Sequence, residues 1–593
     1  MRLIKRKECL FFLLFVFLIF GIFQYSIQKI FGMVYFPDEF GYWASAAKWI
    51  GYDWSSLTAL GSYYSFGYSL LLAPILKLCT GGVTAYRAAV ALNLLLQAVT
   101  IPMLYYIFKR LFPDVDEQLS VCAVGIALFY PVWIFYGQVT LAEGFLFFLY
   151  IGIVFLMVRT VKKAGLGTIL LLAVLLVYLC FVHMRTIGTA IAAVLVLLCW
   201  LWKEPVYRKR MLAGFGLLAA ACILGTALRL LVLDTVYGNT GQDMLARNDI
   251  SGQLSRVQAI CSAEGMVRFW CGCAGKLFYL GASSFGLVYY ALAYTGRNSI
   301  RVWQKMRYGK RIMVQEWMSL FLFLSFWGQF LITAVYMNEP RRADEVVYGR
   351  YNDHLLPVYM GIGLIWMYRR RFTGKAVAAV MAVQSALLPV VIYGEELYGG
   401  SEIQGYFMAG ISYLVDDLHF EAIQDLSGIC LLSNLMILVF SGLIWVGKEK
   451  KLAVCTMAIA VLMEIILGLG LHHKYTYRFN ELIYREVLFS LFLSQEPERE
   501  IFYLYEDGIA YIDEIQFNLP ERKIRVIPKQ AFQEALKSED MEAIVELSRD
   551  ETGRQGYLIL DVDSICRDQI EQYGKMCTES AYFVLYDPLD FSD

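Results

Sequence analysis

The chain has 593 residues, of which 58% are hydrophobic, 15% aromatic and only 18% charged. Soluble domains average about 45–50% apolar and about 25% charged residues, so this composition excludes an ordinary soluble domain and points to a bilayer. The 52 basic and 52 acidic residues balance to zero net charge, which excludes a nucleic-acid protein with a basic surface.

The first apolar run, 10–27, follows Arg2, Lys5, Arg6 and Lys7 and has no small-residue cleavage site. It reads as a retained anchor with a cytoplasmic N-terminus. Helical spans need about 20 apolar residues, and such runs recur along most of the chain. Basic clusters at Lys109-Arg110, 159–163, 202–210, 297–311, 368–375 and 447–451 thread them, because Lys and Arg favour the cytoplasmic side. Each gap between clusters then holds an even number of spans. The threading predicts 86–108, 118–135, 144–158, 167–182, 187–202, 211–233, 271–294, 316–336, 355–368, 375–393, 428–446 and 452–471. With the anchor this makes a polytopic α-helical membrane protein of about thirteen spans.

Residues 28–85 become a large first external loop, in which 66–78 is too short to span and fits an interfacial or re-entrant helix. From about Lys474 the chain turns mixed and polar. Short β-type runs (IFYLY, KIRVI, YLILDV, AYFVLY) alternate with helical stretches such as PKQAFQEALKSEDMEAIVEL. The predicted division is a transmembrane domain over 1–473 and a small extracytoplasmic α/β domain over 474–593.

The thirteen cysteines are scattered, and those in apolar runs read as small hydrophobes. Cys271-Gly272-Cys273 is too short for a zinc pair, and the five histidines form no ligand cluster. Spacing implies no metal site. Cys566 and Cys577 are able to pair if the tail lies outside.

The threading gathers several polar residues on the external face. Asp38 and Glu39 follow the first span, within PDEFGYW, and Glu143 opens the span after the second external loop. His183 and Arg185 mark the third external turn. Arg341, Arg342 and Arg350, in NEPRRADEVVYGRYNDHLLP, run against the positive-inside bias and call for an anionic partner outside. Each residue also has a plainer role. Asp38 fits a solvated flank, Glu143 a helix N-terminal charge, and Arg185 and Arg350 snorkelling cations. Arg341 and Arg342 fit an ion-pair cluster with Asp344 and Glu345, and His183 and His354 fit packing positions. Trp43, Trp49 and Trp54 suit an interfacial belt or a sugar-stacking surface. Together, two acidic sites and at least two arginines on one face are able to bind a phosphorylated ligand and activate a hydroxyl beside it.

The spacing P-D-E-x-x-Y-x-x-x-A from Pro37, followed by GYDW at 51–54, resembles the first external loop of GT-C glycosyltransferases. Protein O-mannosyltransferases and the lipid A aminoarabinose transferases are the nearest matches. YSFGYSLLLAPILKL, AYRAAVALNLLL, YIFKRLF, YPVWIFYGQVTLAE and GRYNDHLLP resemble later family segments in the same order, over about the first 360 residues. The resemblance implies a GT-C fold and inverting transfer of a sugar from a polyprenyl-phosphate donor. The acceptor would be an envelope glycan, lipid or protein at the external membrane surface. It also implies roles: Asp38 as general base, Glu39 shaping the acceptor site, Glu143 as second acid, Tyr42 framing the loop. Arg350, with Tyr351 beside it and Arg185 or Lys276 as alternatives, would meet the donor phosphate. Where the lipid A enzymes carry an acidic-Lys-Pro-Pro stretch, this chain reads Tyr63-Tyr64-Ser65-Phe66-Gly67. No cofactor is implied, and a divalent cation is left open.

Two other functions compete with this one, a transporter or flippase of a lipid-linked glycan and a non-catalytic envelope-assembly partner. Transporters place charges near the bilayer midplane, often within repeated halves, and neither feature is evident in the sequence.

Overall fold

The computed structural model describes residues 6–248, 253–338, 342–369, 373–398, 404–415, 422–449, 452–506, 511–537, 546–550, 552–572 and 574–588. Arg341 lies outside them. Among the described residues, nine helices are long and apolar enough to cross a membrane, or ten if one bent pair counts as a span. Exposed Leu10, Phe17, Ile223 and Leu431 turn apolar side chains outward, as a lipid-facing surface requires. The chain is a multi-pass helical membrane protein.

Of the expected spans, 118–135 is shortened to Glu117–Leu128, with 12 residues, while 167–182 and 355–368 form Leu166–Val182 and Leu356–Arg369, with 17 and 14. The expected single span 271–294 is instead two helices, Ala263–Ser283 and Leu287–Arg307, bent by 112°. No proline causes the break. Phe285 and Gly286 both have positive φ, 52° and 78°, in the left-handed region that a right-handed helix cannot contain. The 66–78 stretch forms the ten-residue helix Ser69–Leu78, with Leu78 exposed.

The final apolar helix does not stop at the change of composition. Ala453–Leu471 passes through a π-helical turn, His472–Tyr477, into Arg478–Leu493. A five-stranded sheet follows in the order β2-β1-β3-β5-β4. Its strands are β1 (Ile501–Tyr505), β2 (Ile524–Pro528), β3 (Tyr557–Asp561), β4 (Gly574–Glu579) and β5 (Phe583–Pro588). β1 pairs in parallel with β2 and β3, while β5 runs antiparallel to β3 and β4. The four β-type runs became β1, β2, β3 and β5. β4, GKMCTE, has no apolar alternation and gave no signal. Cys566 and Cys577 are both free thiols.

This C-terminal unit grips the segment that precedes helix Gly82–Leu111. Asn480 Oδ1 accepts from the Phe31 and Gly32 N–H groups at 2.6 and 3.2 Å, and Glu514 Oε2 from the Met33 N–H at 2.9 Å. Lys523 pairs with Asp53 at 2.7 Å. Phe517, on helix Ile512–Asn518, packs its ring against Trp43 at 4.9 Å and also touches Trp54 and Tyr86. Trp43 and Trp54 are therefore buried anchors, neither an interfacial belt nor a sugar platform. Their indole N–H groups donate to Thr140 Oγ1 and the Pro520 carbonyl, so each polar edge is satisfied inside the protein. Trp49 alone of the three stays partly exposed.

Candidate active site

Helix Asp38–Trp49 begins directly after Pro37, with Asp38 and Glu39 in its first turn, where the helix dipole favours carboxylates. Gly41, one turn on, leaves room for the Tyr64 ring, which a Cβ there would overlap. That close approach lets the Tyr64 hydroxyl donate to Asp38 Oδ1 at 2.6 Å. Both residues line a cavity of about 190 Å³, together with Tyr42, His183, Arg185, Asn248, Arg256, Tyr336, Arg342, Tyr348, Arg350 and Tyr351.

Arg350 ties the two acidic sites together. It reaches Asp38 Oδ2 through Nη1 at 2.5 Å and forks onto Glu143 through Nε and Nη2 at 2.5 and 3.2 Å. Glu143 stands in the first turn of helix Ala142–Lys163 and Asp38 in that of helix Asp38–Trp49, so one guanidinium joins two helix N-termini. The backbone N–H of Arg350 is held by the Phe407 carbonyl at 3.1 Å. Arg350 and Glu143 side chains are 3% and 2% exposed, whereas Asp38 keeps 24%. Asp38 and Arg350 both line the cavity, and Asp38 is the more exposed of the two.

Glu39 points the other way. Consecutive helical residues diverge by about 100°, so the neighbour of a cavity residue faces the core. Its Oε1 accepts from the Val34 and Tyr35 N–H groups at 2.9 and 3.0 Å. Its Oε2 accepts from the Tyr86 hydroxyl at 2.7 Å and from the Thr140 N–H and hydroxyl at 2.8 and 2.6 Å. Five donors from three segments converge on one carboxylate that is 0% exposed. Burial raises its pKa, and the hydrogen bonds from Thr140, Tyr86, Val34 and Tyr35 oppose the rise. Glu39 is thus a latch that fastens the Asp38 loop to the helices around it.

The rest of the lining is cationic and aromatic. The Arg185 guanidinium lies 3.3 Å from the Tyr336 ring centroid and 3.9 Å from that of Tyr351. Arg256 stacks on Tyr336 as well, at 3.7 Å. Arg185 also contacts His183 Nε2 at 3.1 Å, while its own Nε is buried without a hydrogen-bond partner. Burial, with the charges of Arg185, Arg350 and His354, holds His183 well below its ordinary pKa, so the ring stays neutral. Arg342 makes the expected ion pair, with Asp344 Oδ1 at 2.8 Å, although Asp344 is fully buried rather than on the surface. Tyr42 packs edge-on to Tyr64 and Tyr68 and closes the floor.

The fold brings Asp38, Tyr42, Arg185, Arg350 and Tyr351 to one cavity and sets Glu143 directly behind Arg350. Lys276 is not among the lining residues. It is fully buried on helix Ala263–Ser283 and donates to the Glu345 carbonyl at 3.1 Å. Arg256, Asn248 and Tyr336 line the cavity without having been singled out from the sequence. Arg256 and Asn248 sit in the loop helices between 234 and 263, and the only hint there was basic residues in an external segment. Asp38 and Glu143 direct oxygens to Arg350, and no group of three or more His, Cys, Asp or Glu is placed to hold a metal among the described residues.

No family model matches the chain, and no curated protein matches it significantly. Solved structures do. The lipid A aminoarabinose transferase ArnT from Cupriavidus metallidurans, bound to undecaprenyl phosphate, superposes with a TM-score of 0.54 at 13% identity over 97% of both chains. Its apo state gives a TM-score of 0.52 at 12% identity, again over 97% of both. The arabinosyltransferase EmbB from Mycobacterium smegmatis matches 80% of this chain and 42% of its own, at 13% identity and a TM-score of 0.40. Over nearly its whole length, then, this chain has the GT-C fold that the motifs of its first external loop implied.

Proposed function

We propose that this chain is a membrane glycosyltransferase. It moves a sugar from a polyprenyl-phosphate donor to an envelope glycan, lipid or protein on the extracytoplasmic face, with inversion at the anomeric carbon. The observation that carries this reading is the placement of Asp38, partly exposed, against Arg350 in a cavity that Arg185 and Arg256 also line. The full-length likeness to ArnT, solved with undecaprenyl phosphate, supports the donor class. N-terminus inside and sheet domain outside follow from the charge threading, with the domain beginning near 474.

Asp38 takes the proton of an acceptor hydroxyl as its oxygen bonds to the anomeric carbon. The bond from that carbon to the phosphate breaks on the opposite side, and polyprenyl phosphate leaves with the electron pair. General-base assistance of this kind contributes about 10²–10⁴ in rate. Guanidinium groups stabilise the charge that develops on the leaving phosphate. Arg350 holds Asp38 Oδ2 through Nη1. A donor phosphate that competes for Nη1 frees that Asp38 oxygen to accept the proton of the acceptor hydroxyl. Glu143 keeps Arg350 in place, Glu39 fastens the loop, and Lys276 has no part at the cavity.

The test is the purified chain in proteoliposomes with a panel of polyprenyl-phosphate sugars and a cell-envelope acceptor extract. Sugar appearing on an acceptor with inverted configuration, with equimolar polyprenyl phosphate, is the expected result. Movement of a fluorescent lipid carrier across the bilayer without any sugar transfer would overturn it.

A further inference from the structure

A second cavity, of about 740 Å³, opens at the other end of the two helices that carry Tyr86, which donates to Glu39, and Glu143, which holds Arg350. It lies between the C-terminal halves of helices Gly82–Leu111 and Ala142–Lys163. Arg159 on its rim stands sixteen residues beyond Glu143 on one helix, about 24 Å at 1.5 Å per residue, close to the depth of a bilayer core. The cavity therefore opens towards the membrane face opposite Asp38.

Its inner wall is apolar, with Val99, Pro102 and Met103. Its mouth is cationic: Lys109, Arg110, Arg159, Lys162 and Lys163 line it, and no carboxylate does. Lys109 spends its ammonium on the Val115 carbonyl at 2.6 Å. Arg110 lies over the Tyr106 ring at 5.1 Å and Arg159 over Phe155 at 5.6 Å, so the ring faces align both guanidiniums. Arg110 Nε is buried without a hydrogen-bond partner, and the charges of Arg110 and Lys163 both bear on Lys162. Glu8 and Glu117 act on Tyr105, a tyrosine of the lining. The positive-inside tendency accounts for Lys and Arg at this face. It does not account for their convergence, without counter-ions among the described residues, on the mouth of one apolar cavity.

We propose that this cavity binds an anionic phospholipid bearing two phosphates, of the cardiolipin class. Acyl chain would follow the apolar wall, and the phosphates would meet Arg110, Arg159, Lys162 and Lys163. Four cations with no facing acid favour a dianionic headgroup over a singly charged one, and a zwitterion brings a cation of its own. Such a lipid would bridge the two helices whose opposite ends hold the Asp38 loop and Glu143. The site is independent of the sugar-transfer reading.

The experiment is native mass spectrometry of the delipidated full-length protein. It is titrated with cardiolipin, phosphatidylglycerol and phosphatidylcholine of matched chains, and with pyrophosphate as the lipid-free phosphate source. Cardiolipin is expected to be retained in preference to both other lipids, with pyrophosphate unable to displace it. Arg159→Gln/Lys162→Gln should weaken cardiolipin binding about thirtyfold. Arg208→Gln/Lys209→Gln, exposed cations at the start of a neighbouring helix whose Arg210 bonds to the Ala164 carbonyl, should leave it unchanged. Met103→Trp, which fills the apolar wall and keeps every charge, should also lose the lipid, and Arg159→Lys/Lys162→Arg should keep it. Equal retention of phosphatidylglycerol, equal loss in the two Gln double variants, or displacement by pyrophosphate would each refute the site.

Discussion

Arg350 donates through Nε and Nη2 to the two oxygens of Glu143, and both side chains are all but sealed from solvent. Breaking such a buried pair leaves one charge without a partner and costs about 3–5 kcal/mol. Arg350→Ala should therefore lower the melting temperature strongly as well as abolish transfer. Adding Glu143→Gln removes the orphaned charge, so the double variant should regain much of the melting temperature while transfer stays absent. Recovery of both together would show that Arg350 serves the fold alone.

Glu39 is expected to act through position. In Glu39→Gln one acceptor becomes an amide N–H₂ that faces donors, and a buried donor left unsatisfied costs about 1–3 kcal/mol. The variant should melt lower, and its remaining activity should keep the wild-type pH profile, because the base is elsewhere. A shifted pH profile at unchanged stability would instead place Glu39 in the chemistry.

Asp353, in the turn before helix Leu356–Arg369, supplies a pH signature. Burial raises its pKa to about 7, opposed by hydroxyl donors Tyr130 and Tyr279 and assisted by the charge of Glu143. A carboxyl whose pKa is raised on folding stabilises the fold only while protonated. Its contribution is complete below the ordinary value of 3.8 and is lost as pH rises through about 7. Wild-type melting temperature in detergent should thus fall between about pH 4 and about pH 7, and Asp353→Asn should flatten that fall. A fall of the same size in the variant would remove Asp353 as its source.

Phe517 couples the sheet domain to the Asp38 helix through Trp43. Truncating a buried Phe to Ala costs about 3–5 kcal/mol where the site cannot collapse. Phe517→Ala should speed proteolytic release of the C-terminal domain and reduce transfer, although no cavity residue is changed. Normal transfer from a chain cleaved after Leu493 would show that the domain does not support the loop.

Much of this arrangement was legible in the sequence, for reasons that particular residues make plain. Asp38, Glu143 and Arg350 lie far apart in the chain, but charge counting assigned them to one membrane face, and the GT-C-like motifs occurred in matching order. The orientation of Glu39 was hidden because a sequence shows adjacency and a helix sends neighbours to different sides. Lys276 sits on an apolar helix whose bend, at Phe285-Gly286, no proline announced. Arg256 and Asn248 belong to short loop helices without apolar periodicity, so only the folded chain brings them to the cavity. Trp43 and Trp54 carry the composition of an interfacial belt, and the partner that buries them, Phe517, is more than 460 residues away.

The most direct measurement is transfer by Asp38→Asn in proteoliposomes, read beside donor binding by the same preparation. Asparagine keeps the size of the side chain and its acceptor for Tyr64, and removes the proton-accepting carboxylate. Transfer should fall by about 10²-fold or more while donor binding is retained or strengthened, since Arg350 is freed for the phosphate. Wild-type transfer rates in that variant would contradict the assignment of Asp38 as the base.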